Sequence, residues 1–199
     1  MNGPHASWPP YCCVAAFAHA ALHQLGAECP SRSNLARLLG TQVPEGSANP
    51  WSLRVVSDRR LAGVLPTTAV RAINHLLNSL APSLRMRHVP FRSIAMKLYA
   101  DLADEATRKG VVVGIGLDWV TVAVEEGGLH RHLLRLLGTN ERSATLLDDS
   151  IGVDAKVFDV PWSELERSVH IVDDGFWLVG PVAKLSFDTA GPWTAPELS

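Results

Sequence analysis

The sequence predicts an α+β fold in which N-terminal helices pack on a C-terminal antiparallel sheet. Apolar residues recur at helical spacing before Gly110, whereas short apolar runs bounded by turn residues follow it. Helices first and strands afterwards are typical of this fold class. With 199 residues, of which 47% are hydrophobic and 19% charged, the chain can build one large core. We therefore expect a single domain over residues 1–187 and a loose tail over 188–199.

Helices are predicted where apolar periodicity meets capping residues. The first is alanine-rich and apolar around most of its circumference; it begins at Cys12 or Cys13 and ends before Gly26, which suits the position after a helix. Thr67 or Thr68 is the candidate N-cap of the third helix. The predicted helices span residues 12–25, 31–39, 67–80, 93–109 and 161–166.

Strands are predicted from apolar runs and turn signals in the second half of the chain. An Asp-Asp-Gly sequence at residues 173–175 predicts only a turn, and no partner for His88 is evident. The segments 130–137 and 144–148 form a hairpin around Gly138-Thr139-Asn140. The predicted strands span residues 111–115, 119–124, 130–137, 144–148, 176–179 and 182–187.

The expected register of this hairpin brings a histidine and a carboxylate together. In a hairpin symmetric about Asn140, directly opposed residues share a face, and His132 lies opposite Asp148. The same register pairs Leu134 with Leu146 and Leu136 with Ala144. Asp149 then points to the other face, beside Arg131. A bulge in the hairpin would reverse this assignment and make Asp149 and His130 the candidate carboxylate and histidine. The two adjacent carboxylates are also compatible with a simple turn at a strand end.

Composition excludes several classes of partner. The net charge is −2 and no long basic run occurs, so neither a nucleic acid nor an anionic membrane surface is expected. Three cysteines, two of them adjacent, make a poor disulfide framework. The N-terminal region has no basic segment, and its apolar stretch carries His19 and His23, which argues against a signal peptide or a membrane span. We expect a cytoplasmic protein.

His19 and His23 stand four residues apart on one helix face, a spacing used by zinc ligands, and Cys12 falls on the same face. The stretch lacks the glutamate that accompanies such histidines in zinc proteases. A polar rim on a buried helix explains the pair better, so we expect no metal and no cofactor.

Cysteines at the first turn of a helix have the setting of a nucleophile. The free N–H groups and the positive end of the helix dipole favour a thiolate, which is the reactive form. A histidine that takes the thiol proton and a carboxylate that orients the imidazole would complete a triad. Backbone N–H groups at the helix start can form part of an oxyanion hole.

These residues resemble a known family. Tyr11-Cys12-Cys13-Val14-Ala15-Ala16 is similar to the helix start of papain-like cysteine peptidases of the C39 type, which include the leader-cleaving domains of bacteriocin exporters. The run from His132 to Gly138 resembles the histidine strand of that family, and Leu147-Asp148 the aspartate that closes the next strand. The resemblance implies a papain-like fold, a peptide or amide substrate, and Cys13, His132 and Asp148 as nucleophile, base and orienting acid. Cys12 is the alternative nucleophile, since a slip of one residue would exchange the two cysteines.

Two departures from the family pattern favour a second hypothesis. No glutamine precedes Cys13, and Ser7 stands where the family has its oxyanion glutamine, so Ser7 is a weak candidate for that role. Val14 replaces a glycine and narrows the expected cleft. The alternative to a hydrolase is therefore a catalytically inactive papain-like domain that binds a peptide or a partner protein.

Overall fold

The computed structural model describes residues 8–90, 96–118, 131–150, 156–172 and 174–185. Two short 3-10 helices, Arg59–Leu61 and Val182–Lys184, lie within these ranges. The α-helices of the same ranges are α1 (Cys13–Gln24), α2 (Arg32–Leu38), α3 (Pro66–Leu80), α4 (Met96–Arg108) and α5 (Trp162–Val172).

A six-stranded antiparallel sheet forms the centre of the molecule. Its strands are β3 (Leu84–Pro90), β4 (Val112–Asp118), β5 (Arg131–Thr139), β6 (Ser143–Leu147), β7 (Val157–Pro161) and β8 (Gly175–Pro181). They are arranged in the order β3-β8-β4-β5-β6-β7, and every neighbouring pair is antiparallel. Separately, β1 (Gln42–Pro44) and β2 (Arg54–Val56) form a short parallel pair.

Helices cover both faces of the sheet. Helices α1, α2 and α3 share one apolar core with Trp177, Val179 and Leu133 of the sheet. Helices α4 and α5 share the other core with Ile115, Leu117 and further strand residues. Every residue of β4 is buried, as expected for a central strand with helices on both sides.

A glycine in β4 lets α1 approach the sheet closely. A Cβ atom at Gly114 would lie only 2.9 Å from Cε2 of Phe17, whose side chain is fully buried. A side chain at this position would therefore push α1 outward. Because Cys13 is the first residue of α1, this contact helps to set the distance between the cysteine and the sheet.

The structure confirms the α+β architecture and corrects several details. Helix α3 begins at Pro66, which occupies its first turn, and not at a threonine cap. Strands β3 and β7 and the β1–β2 pair were not predicted. The strand predicted over 182–187 is wrong, because a 3-10 helix occupies Val182–Lys184. The strand predicted over 119–124 and the tail at 188–199 lie outside the described residues. The single-domain assignment stays a prediction.

Candidate functional site

Cys13 is the first residue of α1, and the chain makes a sharp turn just before it. Tyr11 has φ 68°, in the left-handed region that few residues other than glycine adopt. Its hydroxyl accepts a hydrogen bond from Nε of Arg59 at 3.1 Å, which helps to hold the turn. The first intrahelical bond runs from Ala16 N–H to the carbonyl of Cys12, so the N–H groups of residues 13–15 precede the helical ladder. The thiol of Cys13 thus lies at the positive end of the helix dipole.

The two neighbouring cysteines have different surroundings. Cys12 is 1% exposed, and burial, followed by the charge of Cys13, raises the pKa of its thiol to about 12. Cys13 is partly exposed and lies on a cavity. All three cysteines are free, and burial raises the pKa of the third, Cys29, to about 11. Of these three cysteines, Cys13 is the one that is both partly exposed and hydrogen-bonded to His132.

His132, near the start of β5, contacts both other members of the expected triad. Its Nε2 lies 2.9 Å from Oδ2 of Asp148, and its ring also forms a hydrogen bond with the side chain of Cys13. With Nε2 on the carboxylate, Nδ1 is the ring nitrogen left for the thiol. Both His132 and Asp148 are buried.

This arrangement stabilises a protonated imidazole. Burial lowers the pKa of His132, but the hydrogen bonds to Asp148 and Cys13 and the charges of those groups outweigh it and raise the pKa to about 10. Burial also raises the pKa of Asp148, yet the hydrogen bond and charge of His132 and the hydrogen bonds from Ser150 bring it below its ordinary value. The site therefore favours a charged carboxylate and a charged imidazolium beside the thiol.

Asp149 belongs to a different cluster. The guanidinium of Arg135 donates from Nε at 2.9 Å to Oδ2 and from Nη2 at 2.9 Å to Oδ1 of Asp149. Its Nη1 donates at 2.7 Å to Oε1 of Gln24 at the end of α1. Burial raises the pKa of Asp149, although Arg135 opposes this. The expected neighbour Arg131 instead donates to the carbonyl of Val172 at 2.8 Å.

The predicted hairpin register is wrong by two residues, yet His132 and Asp148 meet. Leu136 pairs with Leu146 rather than with Ala144, and a bulge lies between Leu136 and Gly138. Because side chains alternate with a period of two, a shift of two residues leaves each side chain on its expected face. His132 and Asp148 are therefore diagonal neighbours rather than a directly opposed pair.

Two other candidate residues, Ser7 and His130, lie outside the described residues, so their roles stay predictions. The first described residue, Trp8, donates its N–H to the carbonyl of Ser150 at 2.8 Å. This bond brings the segment that precedes the cysteines next to the turn that follows β6.

A cavity of about 70 Å³ opens beside the thiol. Sequence reasoning missed one wall of it, the segment from Arg60 to Pro66.

Sequence reasoning also missed Asp174, which borders the cavity and accepts at 3.0 Å from Nε2 of His88 and at 3.2 Å from Nε1 of Trp177. The Asp-Asp-Gly pattern indicated only a turn here, and no local signal links it to a histidine 86 positions earlier. From the start of α1, the turn before it and β5, the cavity is bordered by Tyr11, Cys13, Val14, Arg131, His132 and Leu133.

His19 of α1 lies beside an aromatic ring, and the question of a metal site at the histidines of this helix can be examined in the structure. The ring of His19 packs edge-on against Trp8 with centroids 5.6 Å apart, and burial, with the charge of Arg32, lowers the pKa of its imidazole. Within the described ranges, no group of three or more His, Cys, Asp or Glu side chains is arranged to hold a metal ion. In the same ranges, no helix has the length and apolar character needed to cross a bilayer.

Comparison with known proteins supports the fold only. No family model matches the sequence, and the search of curated proteins gave no match. Among solved structures, the chain is similar to a Bacillus anthracis protein described as a C39-like peptidase, with a TM-score of 0.57 and 15% sequence identity. The similarity covers 90% of this chain and 94% of that protein. The shared architecture is thus a papain-like α+β fold.

Proposed function

We propose that the protein is a cysteine hydrolase that cleaves a peptide or amide bond through Cys13, His132 and Asp148. One observation carries this proposal: the buried imidazole of His132 is hydrogen-bonded to a thiol on one side and to a carboxylate on the other. The shared fold adds support, since the structural neighbour is described as a C39-like peptidase.

In the proposed reaction, the Cys13 sulfur, whose proton His132 has taken, attacks the substrate carbonyl carbon. The π electrons move to the oxygen, and the resulting oxyanion faces the N–H groups at the start of α1. Collapse breaks the carbon–nitrogen bond as His132 donates its proton to the leaving amine, which gives a thioester. His132 then accepts a proton from water as the water oxygen attacks the thioester carbon. The carbon–sulfur bond breaks, the carboxylic acid leaves, and His132 returns its proton to the Cys13 sulfur. Asp148 keeps the imidazole in the required tautomer and orientation throughout.

The second candidate is a domain that binds a peptide without cleaving it. The observation that favours it is the absence of a glutamine before Cys13. Loss of one oxyanion donor typically costs about 10²–10³ in kcat, which leaves the thiol reactive but turnover slow.

Labelling with iodoacetamide at neutral pH tests the nucleophile. We expect rapid modification of Cys13 that is lost in Cys13→Ala and kept in Cys29→Ala, the matched control at the other partly exposed thiol. Labelling that maps to Cys29, or is unchanged in Cys13→Ala, contradicts the proposal. Incubation with a peptide mixture, followed by mass spectrometry, separates the two candidates: cleavage products lost in Cys13→Ala indicate the hydrolase, and retained uncleaved peptide indicates the binding domain.

A further inference from the structure

Both carboxylate oxygens of Asp148 are engaged, and one residue holds the oxygen that faces away from His132. Ser150 donates to Oδ1 from its backbone N–H at 2.9 Å and from its hydroxyl at 2.6 Å. Oδ2 is thereby left for Nε2 of His132 at 2.9 Å. The torsion that turns a carboxylate is broad and has little preference of its own, so external hydrogen bonds must fix the plane.

Ser150 also connects this carboxylate to the segment that leads into α1. Its carbonyl oxygen accepts the N–H of Trp8 at 2.8 Å. Trp8 is buried and packs edge-on against His19 of α1 and against Trp51, with ring centroids 5.6 and 5.4 Å apart. Ser150 therefore contacts Asp148 through its N–H and hydroxyl, and through its carbonyl it contacts the segment that leads to Cys13.

From these contacts we infer that Ser150 is a positioning residue, which fixes the carboxylate of Asp148 against the His132 ring and so directs that ring towards Cys13. The inference rests on the proposed function and extends it to a residue outside the triad. A short hydrogen bond from a hydroxyl to a charged oxygen is among the stronger ones in proteins. Without it, Oδ1 keeps only the backbone donor, and the carboxylate can turn away from the imidazole.

A test of this inference must distinguish a movement of the Asp148 carboxylate from a change in the charged and titratable groups around it. His132 faces Asp148 from β5, with Cys13 of α1 on the far side of the ring. Asp149 lies next to it in sequence, and its charge is balanced by Arg135. Substitution of Ser150 leaves all of these groups in place, so a change in Cys13 reactivity would report the position of the carboxylate.

The test measures the rate of iodoacetamide labelling of Cys13 in the full chain from about pH 5 to about pH 9. In Ser150→Ala we expect labelling about threefold to tenfold slower at the acidic end, and a rate midpoint at higher pH, because a weakly held Asp148 supports the imidazolium less well. Ser150→Thr, which keeps the hydroxyl, should restore the wild-type midpoint. Ser143→Ala is the matched control, since Ser143 lies in the same hairpin and its hydroxyl accepts from Nδ2 of Asn140 at 2.9 Å.

A midpoint in Ser150→Ala equal to that of the wild type overturns the inference. If Ser150→Ala does not fold, Ser150→Thr and Ser150→Val provide the same comparison at nearly equal side-chain volume, and equal midpoints in those two variants overturn it as well. A wild-type Cys13 that does not react with iodoacetamide contradicts the proposed function itself. Failure of the inference and failure of the function are therefore distinguished by the wild-type curve.

Discussion

Nε2 of His132 lies 2.9 Å from Oδ2 of Asp148, although these residues are not opposed in the β5–β6 ladder. The contact forms because Asp148 follows the last residue of β6 on the face that His132 shares. The next residue, Asp149, faces Arg135 instead. Two adjacent carboxylates thus have separate partners, and their substitution should have separate consequences.

Asp148→Asn should slow the labelling of Cys13 by about tenfold near pH 6, because a neutral amide no longer provides the charge that supports the imidazolium. Asp149→Asn is the matched control and should label within about twofold of the wild type. Rates measured by mass spectrometry across a pH series check the pair. A larger effect at Asp149 would assign the orienting role to that residue.

The faces of the hairpin could be predicted from the sequence, whereas its register could not. The alternation of Leu134, Leu136 and Leu146 marks the buried face, and an error of two residues leaves that assignment intact. The bulge between Leu136 and Gly138 has no local signature, since a glycine in a strand indicates a bulge only as one of several possibilities. Helix α1 was predictable because its run of apolar residues starts just after the two cysteines and stops just before Gly26, which has φ 69°.

Contacts between distant segments account for most of what was missed. His88 and Asp174 lie 86 positions apart, and their pairing depends on β3 lying beside β8 at the sheet edge. The cavity wall from Arg60 to Pro66 has no regular periodicity, and backbone hydrogen bonds between Gly63 and Gln42 connect it to the distant strand β1. A single sequence contains the local preferences of such segments but not their long-range neighbours.

The raised pKa of His132 predicts a pH-dependent stability. A folded-state pKa of about 10, against about 6.5 in the unfolded chain, stabilises the fold fully below about pH 6.5. This contribution decreases as the pH rises and is lost as the pH passes about 10. Urea unfolding of the wild type and of His132→Gln at both ends of this window checks the prediction. The free-energy difference between the two proteins should be larger at the acidic end, and a constant difference would contradict it.

The close approach of α1 to the sheet predicts a strong effect of one methyl group. Gly114→Ala should lower the free energy of unfolding by about 1–3 kcal/mol, because the new Cβ would meet the buried ring of Phe17 at 2.9 Å. Gly138→Ala is the matched control in β5, where, apart from the adjoining residues, no heavy atom in the described part of the chain lies within 4 Å of the added Cβ. Equal stability of the two variants in urea would show that Phe17 yields without cost.

The pair formed by Arg135 and Asp149 is largely buried, with side-chain exposures of 18% and 11%, and it joins the β5–β6 hairpin to α1 through Gln24. Arg135→Met should destabilise the fold by about 3–5 kcal/mol, because it leaves a buried carboxylate without its cation. The double variant Arg135→Met/Asp149→Leu should recover much of this loss, since no unpaired charge remains. Arg108→Met is the control at an exposed pair with Asp104 and should cost at most about 1 kcal/mol. Urea unfolding of the four proteins checks the series, and a double variant no more stable than Arg135→Met would show that the link to Gln24, rather than charge burial, accounts for the loss.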